Sequence, residues 1–416
     1  PPLGEIMIKH FFALGVLAPV LAYSNSYIVK LKSNKSTIEF NQYGKVSEIK
    51  TKTLNFIKIS SENNLSGIQI DRIRQNQNVE YIEENQIYKT QDHIDDPEFS
   101  KQWSLKNTGR NSGSFFSWGK IGEDVDAIDA WEMEQGSKNI KIAVIDTGVD
   151  YTHPDLIENM WKNQLELNGT EGVDDDGNGY IDDINGWDFV SNDNDPMDGN
   201  GHGTHCAGVI AASHNNIGIR GLMREAQVIP LKFLADNGSG TLDGAIKAIS
   251  YATNIGVHIM SNSWGGGGFS QALYDVIEEA QNEGILFVAA AGNSRNDNDK
   301  WASYPATYEL DNIISVGASD GKGKKARFSN YGKTTVDLFA PGVDIHSTYK
   351  NKSYKKLSGT SMATPIVSGV LGLMMSQGES LGFTELKQKI MDSTDQSRSL
   401  GSFSVAGRVN AKKALQ

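Results

Sequence analysis

From residue 140 onward the chain repeats one pattern: a short, almost unbroken apolar run, a glycine-rich or polar break, then a stretch with helical spacing. The runs are IKIAVIDTG, AQVIPLKFL, VHIMSNSWG, ILFVAAAGN, NIISVGASD and TVDLFAPG; the helical stretches are TLDGAIKAISYATN, FSQALYDVIEEAQNEG and, near the end, TPIVSGVLGLMMSQ. A strand that is apolar on both faces must be covered on both faces, and a parallel strand needs a crossover long enough to hold a helix. The pattern therefore predicts an α/β architecture of three layers, with a mostly parallel central sheet between helices. In such a sheet chemistry gathers at the loops beyond the carboxyl ends of the strands.

The 416 residues suffice for one large core plus a smaller domain. A net charge of −12 gives a polyanion such as nucleic acid no electrostatic footing. Several aspartates are grouped in short Gly/Asn-rich loops, where carboxylates repel unless a cation or solvent relieves them. A single cysteine forbids an internal disulfide, so stability must come from packing or metal ions.

The N-terminal quarter of the chain has a different pattern. PPLGEI precedes Met7 and reads as an expression scar or a misplaced start. Residues 7–22, MIKHFFALGVLAPVLA, place Lys9 and His10 before an apolar run that ends at Ala22, as a secretory signal peptide does. The run, about 12 residues, is too short to span a bilayer, so export is expected rather than a membrane anchor, with a buried N-terminal helix as the alternative. Residues 23–91 form a compact α+β pattern: strands at SYIVKL, LNFIKIS and VEYIEENQIY, and a short helix in SGIQIDRIRQNQ. The polar stretch Lys89–Gln102, with Pro97, reads as a linker.

Four positions at the ends of predicted elements could carry chemistry. Asp146 ends IAVID, where it either offers a carboxylate to a crevice or caps the next element. His202 lies among Gly199, Gly201 and Gly203, which leave room for a working base, though a structural histidine fits as well. Ser361 follows Gly359 and opens a helix despite Pro365. A helix N-terminus favours a developing oxyanion, and the same residue preference describes an ordinary N-cap. Asn293 ends VAAAGN, where its amide could donate to an oxyanion or simply form a turn.

Taken together, VIDTG, GHGTHCAG, AAAGN and GTSMATP resemble the motifs of the subtilisin-like serine proteases. The order Asp, His, Ser is that family's and differs from the chymotrypsin-type and α/β-hydrolase orders. The resemblance covers residues 92–416 as a peptidase domain; residues 23–91, through YIVKL and VEYIEEN, resemble the family's inhibitor-type propeptide. It implies Ser361 as nucleophile, His202 as general base and then acid, Asp146 as the residue that orients the imidazole, and Asn293 with the Ser361 N–H at the oxyanion. It further implies a self-processing zymogen cut near Gln91, with Tyr88 filling an apolar pocket, inhibition by the propeptide, and a monomeric mature enzyme. The rival reading is a catalytically silent peptide-binding or scaffold protein.

His205 and Cys206 stand three and four positions after His202, so a zinc site is conceivable, but it would consume the base and lacks a fourth ligand. Cys206 is expected to pack beneath the base. By resemblance, Ser263, Trp264 and Gly265 form an edge that pairs with substrate backbone, and Gly265, Ala290, Gly292 and Ser303 border the first pocket. None is charged, so cleavage of broad specificity, at apolar or medium uncharged residues, is expected of protein and peptide substrates. DDDGNGYIDD resembles a calcium loop with Asp174, Asp176, Asn178 and Asp182, although Asn185 stands where its closing glutamate belongs. NDNDPMD offers Asp193, Asp195 and Asp198 to a second calcium ion. Asp96, Asp155 and Asn215 are a third set, resting on resemblance alone.

Overall fold

The structure is a computed structural model and describes residues 26–32, 38–51, 53–61, 64–85, 96–112, 118–397 and 399–416. The expected signal peptide and the expected cut near Tyr88 and Gln91 lie outside the described residues. The chain divides into two compact units, Pro1–His93 and Ile94–Gln416. No helix among the described residues is long and apolar enough to cross a membrane.

In the first unit, strands β1 (Ser26–Leu31), β2 (Lys45–Lys50) and β3 (Asn55–Ser60), helix α1 (Gly67–Arg74) and strand β4 (Val79–Glu84) follow one another. The strands form a sheet of order β2-β3-β1-β4, with β1 antiparallel to β3 and β4. Alternation puts Tyr27, Val29 and Leu31 on one face with Ile57, Ile59 and Ile73. A capping box starts α1: the Ser66 hydroxyl accepts from Gln69 N–H, and the Gln69 side chain accepts from Ser66 N–H. β2, KVSEIK, was not expected, because its charged alternate residues mask the strand period.

The second unit runs α2 (Ala127–Trp131), β5 (Gly136–Asp146), α3 (Gln164–Leu167), β6 (Trp187–Asp188), α4 (His202–Ala211), β7 (Glu225–Lys232), α5 (Leu242–Asn254), β8 (Ile259–Asn262), α6 (Gln271–Asn282), β9 (Leu286–Ala290) and β10 (Ile313–Ser319). β11 (Leu338–Pro341), the hairpin β12 (Ile345–Tyr349) and β13 (Ser353–Leu357), then α7 (Thr360–Ser376), α8 (Phe383–Asp392) and α9 (Ala411–Ala414) complete it. Seven strands make a parallel sheet of order β11-β10-β9-β8-β5-β7-β6.

Each buried strand serves two cores. Ile142 and Val144 of β5 join Leu286 and Val288 of β9 in a core shared with α4 and α7, whereas Ala143 and Ile145 join Phe287 and Ala289 in one shared with α5 and α6. This is the physical reason for the unbroken apolar runs. β5 comes first in the chain yet sits centrally, with β7 on one side and β8 on the other. The crossovers diverge there, which opens a crevice beyond its carboxyl end, at Asp146.

Candidate active site

Asp146 is fully buried at the tip of β5. Its Oδ1 accepts from the Thr147 N–H and from Nδ1 of His202, both at 2.7 Å. His202 is the first residue of α4, and its side chain keeps 26% exposure toward the cleft. The surrounding glycines are steric requirements. A Cβ on Gly203 would collide with the Gly148 carbonyl oxygen and lie 3.1 Å from Asp146 Cβ, while one on Gly201, at φ +106°, would strike the Tyr349 ring. Close approach of the helix start to the strand end is what brings imidazole and carboxylate together. Burial disfavours the charged ring, but Asp146, with Asp198 behind it, outweighs this and holds His202 above the ordinary imidazole value.

Ser361 is the second residue of α7, and its hydroxyl donates to the Ser263 carbonyl at 3.0 Å. Pro365 has no N–H, so the Ser361 carbonyl, four residues earlier, loses its helical donor. Ser263 Oγ (2.8 Å) and Cys206 Sγ (3.4 Å) donate to it instead. A proline inside the helix is thus accommodated by two side chains beneath the serine. Thr360 is buried, and its N–H and hydroxyl both donate to Asn293 Oδ1, at 2.9 and 3.1 Å. With its oxygen held, the Asn293 amide offers Nδ2 to the cleft that it lines.

That cleft has a volume of about 1200 Å³. Ser263, Trp264, Gly265, Ala290, Gly292 and Ser303 all line it, together with His202, Asn293 and Ser361. Phe233, Leu242, Ala245 and Leu273 form an apolar wall that the sequence reading missed. They lie at the end of β7, on α5 and near the start of α6, positions that point to a site only once the strand order is known.

The zinc alternative fails on the bonds already made. His205 is buried, its Nε2 facing the carbonyls of Ile345 (2.9 Å) and Lys355 (3.1 Å), and burial pushes its pKa down to about 3. Asp146, His202 and Cys206 do approach one another within 4.8 Å. Burial holds the Cys206 thiol well above its usual pKa, so it stays a protonated donor beneath Ser361.

The acidic segments differ from expectation in detail. Asp176 converges with Glu166 and Asp183, their oxygens within 4.8 Å of one another. Neither partner was picked from the sequence. Asp182 takes a left-handed φ of 54° and turns its carboxylate back to the Gly172 N–H, while Asp174 accepts from the N–H groups of Asn178 and Gly179. Asn178 donates its amide to Asp176 and Asp183. Burial raises the Asp183 pKa, against hydrogen bonds from Tyr251, Asn178 and Asn163.

In the second loop Asp193 accepts from the Asp195 N–H, and Asp195 accepts from Tyr151 Oη. Asp198 corrects the expected ligand set: it is buried with both oxygens engaged, facing Thr147 and the backbone around His202. The residues of the third set are each engaged within the protein. Asp96 accepts from the Asn216 N–H and pairs with Arg220, Asp155 accepts from the Ile219 N–H and Tyr354 Oη, and Asn215 donates to the Pro154 carbonyl. Burial, with Asp96 adding, pushes Asp155 up to about 6, and its Oδ1 is buried with no protein partner among the described residues.

A parallel α/β sheet with an Asp–His pair and a helix-borne serine at its switch point defines a class of serine hydrolase. Residues 137–408 match the Subtilase family of peptidases (Peptidase_S8). The chain is 40% identical over 304 residues to thermitase of Thermoactinomyces vulgaris, covering 73% of this chain and 98% of that protein. It is 42% identical over 287 residues to the thermophilic serine proteinase of Bacillus sp. (strain AK1), covering 69% of this chain and 64% of that one. It is also 42% identical over 258 residues to the major intracellular serine protease of Bacillus subtilis (strain 168), covering 61% and 74%. The chain belongs to the subtilase family and is a subtilisin-type serine endopeptidase.

Proposed function

We propose that Ser361 is the nucleophile, His202 the general base and then acid, and Asp146 the carboxylate that orients the ring and stabilises its protonated form. The observation that carries this reading is the 2.7 Å bond from His202 Nδ1–H to Asp146, at the wall of the cleft that Ser361 also lines. With the proton on Nδ1, Nε2 is left as acceptor. In the substrate complex the Ser361 hydroxyl turns from the Ser263 carbonyl to Nε2 and attacks the scissile carbonyl as its proton passes to the ring. Asn293 Nδ2 and the Ser361 N–H, one of the unpaired donors at the start of α7, receive the oxyanion. The leaving amine takes the proton from His202, and water releases the acyl-enzyme by the reverse path.

An extended peptide would pair with the edge at Ser263, Trp264 and Gly265. The uncharged border at Gly265, Ala290, Gly292 and Ser303 favours broad specificity, and the wall of Phe233, Leu242, Ala245 and Leu273 suits an apolar side chain further upstream.

Calcium is proposed as a structural ion. Glu166, Asp176 and Asp183 supply clustered hard oxygens, and the orphaned Asp155 oxygen beside Asp96 and Asn215 fits a cation equally well. Asp193 and Asp195 are the remaining candidates. The ion would neutralise these carboxylates and brace the loops without entering acyl transfer.

The first unit is proposed as the inhibitor-type propeptide, removed by the enzyme itself. Export rests on residues 7–22; the relative named as intracellular shows that family likeness does not set location. Intact mass of the purified full chain, incubated with calcium beside Ser361→Ala, tests the reading. Loss of about the first 91 residues only where Ser361 is present is expected. A Ser361→Ala chain that matures alone, or that cleaves a peptide substrate at the parental rate, overturns it.

A further inference from the structure

Asp198 makes five hydrogen bonds from a position 4% exposed. Oδ1 accepts from Thr147 Oγ1 (2.9 Å) and from the N–H groups of Asn200 (2.9 Å) and Gly201 (2.8 Å). Oδ2 accepts from the N–H (2.9 Å) and hydroxyl (2.7 Å) of Thr204. Thr147 follows Asp146 at the end of β5, and residues 200–204 hold the first turn of α4 around His202.

An ionised carboxylate only accepts, so both threonine hydroxyls are obliged to donate to it. Their lone pairs are then free, and each takes a backbone N–H from the opposite segment. Thr147 Oγ1 accepts from Gly203 N–H at 3.0 Å, and Thr204 Oγ1 accepts from Asp150 N–H at 2.9 Å. Strand end and helix start are thus cross-tied twice through one buried charge. We propose that Asp198 is a positioning residue for the Asp146–His202 pair, its carboxylate setting the spacing between the end of β5 and the first turn of α4. The proposal rests on the reading of His202 as the base.

An asparagine has one oxygen and one amide nitrogen to offer these five donors. One threonine hydroxyl, or the backbone N–H groups beside it, would face a second donor, and the tie on that side would open. Asp198 also places a second negative charge behind the imidazole. The other titratable groups about the ring are Asp146 from β5 and, on its own helix, His205 and Cys206. Lys232 at the end of β7 donates to the Thr147 carbonyl and pairs with Asp236, His346 stands on β12, and α7 carries no charged residue.

The test measures kcat and KM on a chromogenic peptide between about pH 5 and 10 for the parent, Asp198→Asn, Thr147→Val, Thr147→Ser and the exposed control Asp311→Asn. Asp198→Asn should lower kcat about a hundredfold with KM within about twofold, and should move the acid limb of kcat/KM to lower pH. Thr147→Val should lower kcat about tenfold and Thr147→Ser should restore it, whereas Asp311→Asn should match the parent. Unchanged kcat in Asp198→Asn, or a fall in kcat with the acid limb unmoved, overturns the proposal. Should Asp198→Asn fail to fold, Thr147→Val decides: parental kcat overturns the proposal, and loss with rescue by serine upholds it. An inactive parent would sink the assignment of Ser361 and His202 instead, so the two failures are distinguishable.

Discussion

Thr360 and Asn293 are joined by two hydrogen bonds onto one oxygen, the N–H and hydroxyl of Thr360 both reaching Asn293 Oδ1. The pairing fixes the amide with its nitrogen toward the cleft, so the donor is aimed before substrate arrives. Preorganised donors act on the transition state more than on the ground state. Asn293→Ala should therefore cut kcat by about 10²- to 10³-fold with little change in KM. Steady-state kinetics on a peptide ester or anilide checks this, and a loss confined to KM would contradict it.

On the proposed role of His202 as base, the pH dependence of activity follows from its ring. Burial works against its charged form, and Asp146 with Asp198 overcomes that, raising its pKa above 6.5. Only the neutral ring can accept the serine proton, so kcat/KM should fall as pH drops through a midpoint above 6.5. Asp146→Asn removes the charge and the tautomer control together, lowering kcat on the order of 10⁴-fold and shifting the midpoint down. A parental midpoint at or below 6.5 would refute the electrostatic argument.

Much of this was legible in the sequence. Residues fully buried on both faces leave an unbroken apolar run, so the strands around Asp146 and Asn293 declared themselves; the glycines around His202 read as room for the imidazole, whereas Gly201 and Gly203 are needed because Tyr349 and the Gly148 carbonyl occupy the space a Cβ would take. The hidden features depend on three-dimensional partners. Asp183 rather than its neighbour Asp182 turns inward because Asp182 adopts a left-handed backbone, and Glu166 arrives from a separate short helix. Asp198 reads as one more acidic loop residue until Thr147 is seen across from it. The β12–β13 hairpin went unnoticed because KSYKKL alternates polar residues at a surface edge.

His205 should lower acid stability. Its ring is buried with a pKa of about 3, against 6.5 when exposed. Between these values the unfolded chain binds a proton that the folded one refuses, so stability falls as pH drops below 6.5 and goes on falling toward 3. The loss from this group at pH 4 is on the order of 3 kcal/mol. Chemical denaturation in a Ser361→Ala background checks it. His205→Gln, which keeps a donor for the Ile345 carbonyl, should reduce proton uptake on unfolding near pH 5 by about one. An unchanged uptake would show that the ring is already charged in the folded state.

Calcium removal probes the carboxylate clusters. Glu166, Asp176 and Asp183 bring three negative charges within 4.8 Å, a repulsion that a divalent cation relieves. At a calcium concentration about a hundredfold above Kd, binding to the folded state adds about 2.7 kcal/mol, which in a domain of this size raises Tm on the order of 5 °C. Chelation should reverse that gain. A double Asp176→Asn, Asp183→Asn variant should be more stable than the parent in chelator, because the repulsion is gone, and should respond less to calcium. Asp155→Asn makes the separate case for the set formed by Asp96, Asp155 and Asn215, where a buried oxygen without a protein partner becomes an uncharged amide. Calorimetry on the inactive Ser361→Ala chain avoids self-digestion. A parental Tm that ignores both calcium and chelator would mean that the hydrogen bonds from Asn163, Asn178 and Tyr251 suffice to hold the Asp176 and Asp183 carboxylates in place.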